Sequence, residues 1–205
     1  MYNFQYANPT RICFGEGQIA RLPELIPAGS RLLVLYGGGS IKQNGVYEQL
    51  TQALAGREWL EFPGIGANPQ YDQLMEAVAL VKRERIDFLL AMGGGSVVDG
   101  TKFVAAAACF EGDDPWEILR DKASIKGALP LGCVLTLPAT GSESNPAAVV
   151  SRGEAKLSFY NPLVQPVFAV LDPATTYSLP PRQVGNGVVD AFVHILEQYL
   201  TFPVG

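Results

Sequence analysis

Two glycine-rich stretches, a hydroxyl-dense loop and one helical Asp/His pair are the parts of this sequence whose residue types and spacing could do chemistry. The first stretch, Gly93-Gly94-Gly95-Ser96, follows the apolar run Asp87–Ala91, which reads as a buried strand. It leads into Thr101–Phe110, whose alanines and apolar side chains read as a buried helix. A strand, a glycine turn and a helix N-terminus make an anion site, because glycines admit close approach, free N–H groups point outward and the helix dipole favours negative charge. Ser96 adds a hydroxyl where a phosphate oxygen would sit. A turn that merely packs strand on helix is the simpler alternative, but three consecutive glycines carry an entropy cost that such a turn does not require. The second stretch, Gly37-Gly38-Gly39-Ser40, ends the apolar run Arg31–Tyr36. Two such strand-end turns suit a dinucleotide, one holding the pyrophosphate and the other the far ribose. An acid in the Gly37–Ser40 turn would accept from a ribose 2′-OH and repel a 2′-phosphate. None is there, and Gly39, Ser40 and nearby Lys42 tolerate that phosphate, so NADP(H) is expected rather than NAD(H).

The apolar run Leu131–Thr136 opens into Leu137-Pro138-Ala139-Thr140-Gly141-Ser142-Glu143-Ser144-Asn145. Its hydroxyls and amides suit polar groups of a ligand and equally suit a loop that caps a helix. Lys156 stands in a polar connection and by itself reads as a solvated charge. In the last helix, Arg182–Leu200, Asp190 and His194 stand at i and i+4, one turn apart on one face. Such a pair could ligate one divalent metal or form a plain helix hydrogen bond. Two ligands do not close a catalytic zinc or iron site, which takes at least three protein donors. Gly15-Glu16-Gly17-Gln18-Ile19-Ala20 matches the G-x-G-x-x-A fingerprint, yet Glu16 would sit among phosphates and no acid follows at about 20 positions. It reads as a turn opening a Gln18–Leu25 helix.

The elements that must position these groups follow an alternating order. Short strands are expected at Asn3–Ala7, Arg11–Phe14, Arg31–Tyr36, Trp59–Phe62, Asp87–Ala91, Leu131–Thr136 and Val167–Leu171. Helices are expected at Ile41–Leu54 and Tyr71–Arg83, the latter with apolar residues at Leu74, Ala77, Val78 and Val81. Alternation of strand and helix implies a parallel sheet with right-handed crossovers. With 205 residues, 48% hydrophobic, the chain can bury a real core. A net charge of −5 without a basic run argues against nucleic acid as a partner. No apolar stretch approaches the roughly 18 residues of a membrane span, and the N-terminus lacks a secretory pattern. Three scattered cysteines suit a reducing cytosol, so a cytoplasmic location is expected.

Three ordered motifs together resemble the iron-containing (group III) alcohol dehydrogenases, in particular their NADPH-dependent butanol dehydrogenase/aldehyde reductase branch. They are Gly93-Gly94-Gly95-Ser96-Val97-Val98-Asp99, Thr136 to Glu143, and Asp172 followed by Asn186 to Glu197. The resemblance runs along essentially the whole chain. It implies a Rossmann-like, dinucleotide-binding α/β domain over residues 1–180, with a parallel sheet and flanking helices. Residues 181–205 would begin an all-helical metal-binding domain, with the active site in the cleft between. A divalent metal, iron or zinc, would be held by Asp190, His194 and two further histidines lying beyond Gly205, so the chain would be about half the family's length. Asn68, Gly94, Gly95, Ser96, Asp99, Thr136, Thr140, Ser142, Asn145 and Lys156 fall on cofactor-contact positions, as do Gly37, Gly38, Gly39 and Ser40. Gly185 replaces the usual aliphatic residue of the metal-helix signature, and Asn145 stands where Thr is common. The implied reaction is reversible hydride transfer between NADPH and a small aldehyde, with catalytic Asp190 and His194 acting through the metal. The 205 residues alone are expected to be inactive and, with Val193, Ile195 and Leu196 exposed, to self-associate or form a homodimer. The alternatives are a non-catalytic NADP(H)-binding module and a glycerol dehydrogenase-like polyol oxidoreductase.

Overall fold

The structure, a computed structural model, describes residue 3 and residues 5–201. Strand β1 (Arg11–Phe14) leads through a 3-10 turn at Gln18–Arg21 into the short helix α1 (Leu22–Leu25). Strand β2 (Leu32–Tyr36) is followed by helix α2 (Val46–Ala53), then strand β3 (Trp59–Phe62) and helix α3 (Tyr71–Glu84). Strand β4 (Phe88–Gly94) runs directly into helix α4 (Gly95–Ala108). After the short helix α5 (Glu117–Arg120) come strand β5 (Leu131–Leu137), the hairpin strands β6 (Ala147–Arg152) and β7 (Ala155–Tyr160), and strand β8 (Phe168–Leu171). Helix α6 (Pro181–Leu200) follows.

Six strands form one parallel sheet in the order β1-β8-β5-β4-β2-β3. Continuous apolar runs such as Leu32–Tyr36 arise because both faces of a parallel sheet are covered. Alternation then divides each strand between two cores. Leu33, Leu35, Leu89, Ala91 and Cys133 pack with α3, α4 and the hairpin. Leu32, Val34, Phe88, Leu90 and Met92 pack with Ile19, Leu22, Val46 and Leu50 on the opposite face. Gly132 is required on β5 because a side chain there would run into the Phe168 ring, which stacks on Phe88.

Several boundaries differ from those read in the sequence. Strand β4 continues through Gly93 and Gly94, and α4 begins at Gly95 rather than Thr101, so the first glycine stretch is a strand-to-helix junction without a loop. None of its three glycines has a positive φ. Their role is steric: a Cβ on Gly93 would stand 2.6 Å from Val97 Cγ2, and one on Gly94 3.2 Å from Leu137 Cβ. The expected helix Ile41–Leu54 is broken by Gly45 at φ 81°, giving a 3-10 turn at Ser40–Lys42 and then α2. Of the expected strand Asn3–Ala7, Phe4 lies outside the described residues, and residues 5–7 are not strand. Lys156 is in β7, not in a connection. That hairpin is pinned to α3 through Asp114, whose carboxylate accepts from the Tyr71 hydroxyl (2.5 Å), the Trp116 N–H (2.9 Å) and Arg152 (2.8 Å). Burial alone would raise the Asp114 pKa, but the bonds from Tyr71 and Arg152 outweigh it and bring it down to about 2.

Among the described residues no helix is long and apolar enough to cross a membrane.

Candidate functional site

The sheet reverses its winding between β2 and β4. Chain order runs outward from β2 to β3 on one side, then returns to β4 and proceeds through β5 to β8 on the other. Open α/β sheets bind ligands outside the carboxyl ends of the strands at this reversal. Both glycine stretches end there, since Tyr36 of β2 pairs with Met92 of β4. A cleft of about 290 Å³ is lined by Gly37, Gly39, Ser40, Gly93, Gly94 and Thr136, and is closed at one side by Leu179, Pro180 and Gln183. A larger depression, about 760 Å³, lies at the opposite, amino ends of β2 and β3, lined by residues such as Ser30, Arg57 and Trp59. It is at the wrong end of the strands for an α/β ligand site.

The turn after β2 is shaped by backbone. Gly37 O accepts from Gly64 N–H at 3.0 Å, a Cβ on Gly37 would meet Ile65 O at 3.2 Å, and Gly39 adopts φ 97°. At the other glycine stretch, the free N–H groups of the first α4 turn face the carboxyl end of the sheet. A Cβ on Gly95 would stand 2.6 Å from Thr140 Oγ1, which shares a 2.9 Å hydrogen bond with Ser142 Oγ. Gly95, Thr140 and Ser142 therefore form one continuous surface beside the cleft, with half-buried Ser96 next in the chain.

Asp99 lies one turn into α4. Its Oδ2 accepts from Val149 N–H at 3.0 Å, whereas Oδ1 is shielded and has no hydrogen-bond partner among the described residues. Burial raises its pKa, against the opposing pull of the Ser142 hydroxyl, Lys102 and the Val149 N–H. Asn68, at φ 56°, accepts from Lys156 Nζ at 2.7 Å, and the Lys156 charge reaches Asp99. Of the expected cofactor-contact residues, Asn145 is turned inward. Its Oδ1 accepts from Ala147 N–H (2.9 Å) and from Lys102 Nζ (3.1 Å).

Lys102 was not legible as part of this region. It is fully buried, and Nζ also donates to Asn145 O and Ala147 O, both at 2.7 Å. Desolvation lowers its pKa to about 8. Leu179, Pro180 and Gln183 were also missed; the Pro180-Pro181 pair, which starts α6, was the available signal. At the fingerprint-like stretch Gly15–Ala20, Gly17 N–H donates to Asp172 Oδ2 at 2.7 Å, so that amide is already taken by the protein.

Asp190 and His194 share one face of α6, about two helical turns beyond Gln183. His194 Nε2 stands 3.7 Å from Asp190 Oδ2, too far for a hydrogen bond, and that oxygen is shielded and has no hydrogen-bond partner among the described residues. Two donors that converge without bonding each other fit a shared cation. Glu197 Oε2 is 3.8 Å from His194 Nδ1. Among the described residues no group of three or more His, Cys, Asp or Glu side chains is placed to hold a metal.

The family model for iron-containing alcohol dehydrogenases matches residues 9–173. The chain belongs to the iron-containing alcohol dehydrogenase family. The NADPH-dependent aldehyde reductase YqhD of Escherichia coli is 60% identical across 100% of this chain and 54% of its own length. A probable NADH-dependent butanol dehydrogenase of Bacillus subtilis is 47% identical over 97% of the chain and 52% of its own length. The crystal structure of E. coli YqhD superposes with a TM-score of 0.93 at 60% identity, covering 98% of this chain and 53% of that one. The NADH-dependent butanol dehydrogenase A of Thermotoga maritima gives 0.89 at 44% identity, covering 96% and 51%. The chain thus spans about half the length of the iron-containing alcohol dehydrogenase relatives it matches.

Proposed function

We propose that this chain is the cofactor-binding part of an NADPH-dependent, metal-assisted aldehyde reductase that runs reversibly as an alcohol dehydrogenase. The supporting observation is the cleft at the winding reversal, where both glycine stretches meet the start of the helix that carries Asp190 and His194. Residues 1–180 form its dinucleotide-binding unit, and residues 181–205 begin the metal-binding unit. The relatives include NADPH- and NADH-dependent enzymes, so the cofactor preference rests on the turn itself. Gly37, Gly38, Gly39 and Ser40 offer no carboxylate to repel a 2′-phosphate.

Gly94, Gly95, Ser96 and the first α4 N–H groups cradle the pyrophosphate. Thr136, Thr140 and Ser142 line its flank, while Asp99, Asn68 and Lys156 supply polar partners farther along the cofactor. Asn145 contributes through Lys102, by fixing the loop that carries Thr140 and Ser142. Asp190 and His194 would hold a divalent cation, iron or zinc. When bound, the cation polarises a carbonyl oxygen and the reduced nicotinamide supplies hydride. The chain's own part is to orient both and to exclude water behind Leu179 and Pro180. The three unpaired cysteines suit a cytoplasmic setting.

Nicotinamide fluorescence titration of the 205-residue chain is expected to show saturable binding with NADPH preferred over NADH. Equal affinities would remove the 2′-phosphate argument, and no binding would mean either that the helical part is needed to shape the site or that the glycine stretch is only a turn. Supplied with Zn²⁺ or Fe²⁺, the same chain is expected not to reduce butanal, since two protein donors do not hold a catalytic cation. Turnover would overturn that assignment. A second reading is a non-catalytic NADP(H)-binding module, and cofactor binding without turnover in the full-length protein supplied with Zn²⁺ or Fe²⁺ would support it.

Helix α6 exposes Val188 (66%), Phe192 (63%) and Ile195 (70%). Apolar faces of this kind drive association, so sedimentation at rising concentration is expected to show self-association. A monomer throughout would sink this expectation.

A further inference from the structure

Just beyond the Gly37–Ser40 turn, the side chains of Lys42, Tyr36, Tyr47 and Glu61 form a network. Lys42 leaves the 3-10 turn with its N–H donating to Gly39 O at 3.0 Å, so its side chain starts beside the turn. The ammonium lies 5.2 Å from the ring centroid of Tyr36, the residue before Gly37, and 4.6 Å from that of Tyr47. It also meets Glu61 Oε2 at 3.2 Å. Glu61 in turn is clamped, accepting from Tyr36 Oη at Oε2 and from Tyr47 Oη at Oε1, each at 2.5 Å.

The geometry gives each member one task. Two tyrosine hydroxyls fix the carboxylate and stabilise its ionised form, so that it stays in place beside the ammonium. Two rings beneath the ammonium and one carboxylate beside it restrict a side chain that ordinarily samples many rotamers. Among the described residues the ammonium makes one hydrogen bond, to Glu61, and its side chain remains 46% exposed, so N–H groups are left to face solvent at the rim of the turn. A preorganised cation with free donors beside a glycine turn suits a phosphate dianion.

We propose that Lys42 recognises the 2′-phosphate of the cofactor, and that Glu61, clamped by Tyr36 and Tyr47, is the positioning residue that holds it at the turn. This rests on the NADPH reading above.

The test is the dissociation constant of the purified protein for NADPH and for NADH, at low and high salt, in wild type, Lys42→Met and Glu61→Gln. Lys42→Met is expected to weaken NADPH about tenfold, the size of one half-exposed charge-assisted contact, and to leave NADH within about twofold. It should also flatten the salt dependence of NADPH binding, which a merely structural role would not do. Glu61→Gln is expected to lose part of the NADPH preference without weakening NADH. Retention of full preference in Lys42→Met overturns the proposal while leaving the NADPH reading intact, and so does equal weakening of both nucleotides. Tighter NADPH binding in Glu61→Gln overturns the positioning role. A wild type without preference overturns the NADPH reading itself.

Discussion

Lys102→Met is expected to lower the free energy of unfolding by about 2–3 kcal/mol at neutral pH. Methionine matches the length of the lysine stem and removes a costly buried charge, which favours the variant. Against this, it strands Asn145 O and Ala147 O without donors and leaves Asn145 Oδ1 with only the Ala147 N–H. A stranded buried acceptor costs about 1–3 kcal/mol, so the acceptors decide the sign. The pH dependence separates the two effects. In the folded protein Lys102 titrates at about 8, below the roughly 10.4 of an unfolded chain. Between those values the unfolded state binds more protons, so wild-type stability rises with pH, by at most about 1.4 kcal/mol per unit. The variant lacks that rise. Urea unfolding of both proteins at pH 7 and pH 9.5 measures it, and equal pH slopes would show that Lys102 stays charged throughout.

Gly95→Ala is expected to weaken NADPH binding about a hundredfold while leaving the fold in place. Alanine suits a helix better than glycine by up to about 1 kcal/mol, so the helix itself gains. Its Cβ, however, would stand 2.6 Å from Thr140 Oγ1, closer than packed atoms allow. Thr140 must turn away, its bond to Ser142 breaks, and the surface beside the proposed pyrophosphate site is occupied by a methyl group. A hundredfold change corresponds to about 2.7 kcal/mol, the scale of several misplaced polar contacts. Gly66→Ala is the control, because a Cβ there meets nothing within 4 Å and φ is not positive. Titration of both variants with NADPH, alongside far-UV circular dichroism, separates a blocked cradle from a damaged fold. Unchanged affinity in Gly95→Ala would remove this junction from the cofactor site.

Much of the parallel sheet was legible because burial on both faces writes itself as uninterrupted apolar runs, as in Leu32–Tyr36 and Leu131–Leu135. Both glycine stretches lie at the carboxyl ends of β2 and β4, as their place after apolar runs implied. The hairpin Ala147–Tyr160 was not legible. Its strands carry Ala, Ser, Lys and Arg in place of a clear alternation, and its stability comes from partners far away, such as Asp114 and Asp99. Gly93 and Gly94 read as punctuation, yet they are strand residues kept small by Val97 and Leu137, a demand set by packing. Lys102 reads as a solvated charge on any helix. Only the carbonyls of residues 43 and 45 positions later make it a buried strut.

The seamless passage from Gly94 to Gly95 has a consequence for how this site can change over evolutionary time. A helix turns about 100° per residue, and nothing between β4 and α4 can absorb slack. One inserted or deleted residue at the junction would swing α4 by that angle, carrying Asp99 away from Val149 and Lys102 away from Asn145 in a single step. Length variation is therefore forbidden there and allowed only in connections that have free residues, such as the one between α4 and β5. New ligand chemistry at this cleft has to arrive by exchange of side chains at fixed backbone positions.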